Sequence, residues 1–105
     1  MATVTHNKLV RDLIPQIILR AGKYPEMRIA GDGEYRELLL AKLQEEMQEY
    51  ISSGSPDELA DILEVLIALA ESDGLSWAEI VALADQKREE RGAFREKIVL
   101  IRVED

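Results

Sequence analysis

The chain has 105 residues, room for one domain around one core. With 47% hydrophobic and 32% charged residues it can bury that core and keep a solvated surface, which excludes a disordered chain. Thirteen Lys and Arg against 21 Asp and Glu leave a formal charge of -8, which argues against polymeric nucleic acid and leaves room for a small anion bridged by a divalent cation.

The absence of cysteine excludes disulfides, thiolate metal sites and a cysteine nucleophile, and makes the cytoplasm the expected location. The opening MATVTHNKLVRD has no apolar leader core, and the longest apolar run, Ile62 to Ala70, is interrupted by Glu64, so neither secretion nor a membrane partner is expected. So short a chain buries a modest fraction of its surface, and helices with broad apolar faces need a further surface to cover them. A homo-oligomer, a dimer or a dimer of dimers, is the expected outcome.

In chain order, Leu9, Leu13, Ile14, Ile17 and Ile18 recur at helical spacing, with Asp12 as N-cap, Pro15 in the first turn and Gly22 as the stop. Asp32 and Gly33 open a long second helix running to about Ile51, and Ser52-Ser53-Gly54 breaks it. Ser55-Pro56-Asp57-Glu58 reads as an N-cap, a proline at the first helical position and a capping-box glutamate, starting a third helix that runs to about Ser72. Ser76-Trp77-Ala78-Glu79 is a second capping box, and the fourth helix it starts ends near Gly92. Lys97 to Val103 is rich in β-branched residues and reads as a strand, with Met27 to Ala30 as its partner in a small two-stranded element. The fold class is therefore all-α, four helices in a single domain over residues 1–105, with that small β element near the C-terminus.

Acidic residues are distributed unevenly on the second and third helices. The pattern is E-E-x-x-E at Glu45, Glu46 and Glu49, then E-x-x-D at Glu58 and Asp61. At about 100° per residue, Glu46 projects into the apolar stripe of Leu39, Leu43 and Tyr50, and Glu49 lies near its edge. Glu58 falls between Leu69 and Val65 and Asp61 just past Val65, while Asp57, Glu64 and Glu71 occupy the opposite, wet side. A carboxylate on a core-facing stripe must be protonated, paired or bound to a metal, and few cations are in evidence on these two helices. A short turn makes the helices antiparallel neighbours, so their acidic edges can converge on a hard cation such as Mg²⁺ or Mn²⁺. Glu58 has a competing role as the capping-box partner of Ser55. Glu45 lies further from the stripe, as an outer or solvated acid.

This acidic pattern on consecutive helices resembles the MazG-like, all-α nucleoside triphosphate pyrophosphatase superfamily. Asn7-Lys8-Leu9-Val10-Arg11-Asp12-x-Ile14-Pro15 and Lys87-Arg88-Glu89-Glu90-Arg91-Gly92-x-Phe94 are similar to the short, single-domain, phosphoribosyl-ATP pyrophosphohydrolase-like or house-cleaning branch. The resemblance implies Mg²⁺-dependent cleavage between the α- and β-phosphates of a nucleotide, giving a monophosphate and pyrophosphate. It implies Glu46, Glu49, Glu58 and Asp61 as metal ligands, with Glu45 beside Glu46 as a catalytic acid that orients water. An asparagine that contacts ligand in longer MazG proteins has no counterpart among Leu66, Ile67 and Ala68, so base recognition does not carry over.

Phosphates also require cations. Lys87 and Arg91 share one face of the fourth helix and Lys8 and Arg11 precede the first, and these four are the candidate substrate-binding residues. For Lys87 and Arg91 the alternative is a solvated helix end favoured by the macrodipole. Trp77 and Phe94 either stack on a base or belong to the core, and His6 has no expected role. Phosphoribosyl-ATP pyrophosphohydrolase activity and a non-catalytic helical module binding metal or a basic partner are the competing functions.

Overall fold

The computed structural model describes residues 2–105 and holds four helices, with no strand among those residues. They are α1 (Ile14–Arg20), α2 (Asp32–Ser53), α3 (Pro56–Ser72) and α4 (Trp77–Arg91). None is long and apolar enough to cross a membrane. α1 begins after Leu13, which offers no side-chain cap, so Asp12 is not the expected N-cap. α2 runs past the expected Ile51 to Ser53, where Gly54 takes a left-handed conformation and donates its N–H to the Tyr50 carbonyl. With φ at +65°, that turn suits glycine and strains most other residues.

α3 turns back along α2 and makes the main packing of the molecule, and α4 touches α3 but not α2. Leu39 from α2 and Val65 and Ala70 from α3 are the buried apolar residues, and Ala70 lines a hollow with Trp77 and Ile80 of α4. An ion pair between Arg36 of α2 and Asp73 just beyond α3 ties the far end of the hairpin. Arg28 holds Glu34 through two hydrogen bonds of 2.6 and 2.7 Å, pinning the incoming segment to the first turn of α2.

The β element does not form. Met27 to Ala30 and Lys97 to Val103 are without regular structure, no backbone hydrogen bond joins them, and Ile29, Ile98 and Ile101 are 89%, 84% and 77% exposed. β-branched residues favour extended backbone, but a strand exists only where a partner takes up its N–H and C=O groups. The radius of gyration, 18.5 Å, exceeds the roughly 13 Å of a compact domain this size.

Candidate metal centre

The site is built across the hairpin turn. Ser55 caps α3 by accepting the Asp57 N–H at 3.3 Å, while its own N–H donates to Ser53 Oγ at 3.1 Å. In a capping box that second bond would fall to the glutamate at the third helical position. Glu58 is therefore not the capping-box partner of Ser55. At α4 the same S-x-x-E spacing does close a box, with Ser76 N–H on Glu79 Oε1 at 3.2 Å and Glu79 N–H on Ser76 Oγ at 3.1 Å. The Glu58 side chain is left to face α2.

There it meets Glu46 and Asp61, each of the three contributing a carboxylate oxygen within 4.8 Å of the others. Glu46 is 7% exposed, on the seam where its helical projection puts it. Glu46 Oε2 and Glu58 Oε2 are both cut off from solvent and have no hydrogen-bond partner. Burial, then the Glu49 and Glu46 carboxylates, push the Glu58 carboxyl up to about 7. Burial and then Glu49 raise Glu46 as well. Glu49 is exposed and lies outside the three-oxygen group, acting on it through its charge.

A basic rim closes around these acids. Lys8 Nζ donates to Glu45 Oε1 at 2.7 Å, and Arg11 Nη2 donates to Asp61 Oδ1 at 2.6 Å, so the segment before α1 crosses the acidic edge of the hairpin. Lys42, one turn before the acids, sits 3.4 Å from Glu45 Oε2 and 3.5 Å from Glu46 Oε1. The bond to Lys8 holds Glu45 below the usual carboxylate range and raises Lys8 in return. Lys42 corrects the expectation that these helices carry few nearby cations. Its signal was the spacing of three and four residues to Glu45 and Glu46.

Lys87 and Arg91 are exposed near the end of α4, and neither forms an ion pair among the described residues. Neither forms a hydrogen bond or ion pair with Glu45, Glu46, Glu49, Glu58 or Asp61. Trp77 is partly buried and lines an apolar hollow with Leu66, Leu69 and Ile80, which is a packing role. Phe94 is 98% exposed and touches no such hollow. A larger, open hollow of about 730 Å³ lies at the start of α2 around Tyr35, Arg36 and Leu40. Arg36 is ten residues before Glu46, about 15 Å along the helix, so that hollow is separate from the acids.

The arrangement can hold a hard cation, because its three residues offer convergent carboxylate oxygens, two of the three carry a buried oxygen without a partner, and there is no sulfur or imidazole donor. No family model matches the chain, and no solved structure matches it. An uncharacterized protein of Mycolicibacterium smegmatis is 42% identical over 50 residues, 48% of this chain. The matched stretch covers 51% of that relative, so the chain spans about half its length.

Proposed function

We propose that the chain is a Mg²⁺-dependent nucleotide pyrophosphohydrolase of the MazG-like kind, cleaving a nucleoside triphosphate between the α- and β-phosphates to a monophosphate and pyrophosphate. The observation that carries this reading is the buried Glu46 carboxylate, whose Oε2 has no hydrogen-bond partner, converging with Glu58 and Asp61. A buried carboxylate oxygen without a partner is costly, and three acids facing one another repel, so the fold keeps an arrangement that a bound cation would relieve. Glu46, Glu58 and Asp61 fit such a cation, and Glu49 sits one turn on, where it would complete the set. Mg²⁺, or Mn²⁺, when bound, neutralises phosphate charge and lowers the pKa of water beside it.

The remaining residues take roles around that set. Glu45, held ionised by Lys8, would accept a hydrogen bond from the attacking water and orient it. Lys8 and Arg11 rest on acids in this structure and would exchange those partners for phosphate oxygens when a nucleotide arrives. Lys87 and Arg91, exposed on α4, are further candidates for the phosphate tail. The cytoplasm is the compartment that suits a cysteine-free enzyme of this kind, and clearance of damaged nucleotides is the role that the resemblance to the house-cleaning branch implies.

A panel of nucleoside triphosphates with Mg²⁺, with pyrophosphate and orthophosphate separated, tests the reading. Pyrophosphate and a monophosphate in equal amounts are expected from at least one nucleotide. Orthophosphate as sole product, or no turnover across the panel, would overturn it.

A further inference from the structure

The segment of residues 7–13 is held to the hairpin mainly by charge. Leu9 alone among its apolar residues is partly buried, with Val10 and Leu13 45% and 61% exposed. α1, which follows it, has no buried residue and packs against no other helix among the described residues. Two ion pairs tie this strap down, made by side chains three positions apart: Lys8 to Glu45 at 2.7 Å and Arg11 to Asp61 at 2.6 Å.

The two pairs are not equivalent. Glu45 stands outside the three-oxygen group, so an ion held by that group leaves Lys8 its partner. Asp61 belongs to the group. A divalent ion ligated by Asp61 would lie a few ångström from the Arg11 guanidinium with twice its charge, well inside the Debye length of about 8 Å. Both would then draw on one carboxylate and repel each other. The Arg11 pair is the weaker claimant, because both of its side chains are open to solvent, which screens the attraction. The ion would also satisfy the buried Glu46 and Glu58 oxygens, which have no other partner and which Arg11 does not reach.

Resting on the reading of these acids as a metal set, we infer that residues 7–13 form a cation-operated strap. Arg11 occupies Asp61 while the site holds no ion and leaves it when a divalent cation binds. Lys8 stays on Glu45 and anchors the loosened segment at the edge of the site. Order follows from this arrangement: the ion frees Arg11 first, and Arg11 is then available to an incoming phosphate, whereas without the ion it remains engaged with Asp61. The coupling is reciprocal, so the Arg11 pair lowers the affinity for the ion by the same factor by which the ion loosens the strap.

The chain has no cysteine, so a pair of introduced ones takes spin labels cleanly. In the full-length double variant Gln16→Cys/Glu64→Cys, at exposed positions of α1 and α3, double electron–electron resonance reads the distance between the strap's helix and the hairpin. The distance distribution should be narrow in chelator and broaden with saturating Mg²⁺ alone at matched ionic strength. Adding Arg11→Gln should broaden it without the ion. By calorimetry on unlabelled chains, Arg11→Gln should bind Mg²⁺ about two- to fivefold more tightly than the parent, the weight of an exposed ion pair. Lys8→Gln removes the same charge and should stay within twofold. An unchanged distribution in a protein that calorimetry shows to bind Mg²⁺ would overturn the strap and leave the metal set standing. Equal tightening by the two variants would also overturn it, since net charge and not displacement would then set the affinity. No Mg²⁺ binding would remove the strap and the metal set together. If the labelled variant fails to fold, the calorimetry of the single variants decides.

Discussion

Glu46→Gln should stabilise the metal-free protein and weaken its response to Mg²⁺, two effects of opposite sign from one substitution. Leaving a buried polar group unsatisfied costs about 1–3 kcal/mol, and Glu46 Oε2 is such a group. Glutamine keeps the shape, removes the charge facing Glu58 and Asp61, and supplies an N–H₂ that can donate to them. The loss is the Lys42 ion pair at 3.5 Å, a partly solvated contact worth roughly 0–1 kcal/mol. The net gain is about 1–2 kcal/mol, and each kcal/mol moves Tm by about 4–8 °C in a domain this size. Mg²⁺ at a hundred times Kd adds about 2.7 kcal/mol to a protein that binds it only when folded, so the order of the two proteins should reverse on adding the ion. Thermal unfolding of parent and variant in chelator and in millimolar Mg²⁺, at matched ionic strength, measures both effects. Equal Mg²⁺ shifts in the two proteins would refute the reasoning, because the acids would then not be holding the ion.

In the nucleotide assay, Asp61→Asn should abolish pyrophosphate release with helical content intact, whereas Glu64→Gln, on the wet face of α3, should stay within twofold of the parent. Activity of Asp61→Asn within tenfold of the parent would contradict its place in the metal set. Lys87→Ala and Arg91→Ala together should raise KM with little change in Mg²⁺ affinity by calorimetry; an unchanged KM would return both residues to the solvated end of α4. The pH dependence has a defined sign. Glu58 is raised from 4.5 to about 7 and Glu46 is raised too, so the folded chain binds more protons than the unfolded one across that window, and stability is lost as pH rises through about 7. Metal-free Tm should therefore fall between pH 5 and 8, Glu58→Gln should flatten the fall, and the Mg²⁺ shift should grow over the same range as the ion displaces that proton.

Helix starts and the buried glutamate were legible because both are periodic, local signals. Glu46 lies seven residues after Leu39 and three after Leu43, two turns and one turn along the same stripe, and Ser76 and Glu79 form their box within four residues. Long-range pairings left no such trace. Arg11 meets Asp61 across 50 positions, and nothing in the spacing of either residue marks the other. Lys42 is legible in its spacing of three and four residues to Glu45 and Glu46. The composition of residues 97–103 pointed to a strand that does not form, because composition cannot name the partner a strand requires.

The hydroxyl of Ser53 has a bearing on the acids although it touches none of them. By accepting the Ser55 N–H at 3.1 Å it occupies the post that Glu79 holds at the start of the next helix. Positions 53 and 58 are consequently coupled through a single amide. Ser53→Ala would orphan that N–H and offer Glu58 a neutralising donor away from Glu46, so the alanine's cost should depend on whether the glutamate is present to respond. In a double-mutant cycle with Glu58→Gln, the two changes should depart from additivity, and the tolerance of the hairpin turn to mutation is thereby tied to the charge state of a site a full helical turn away.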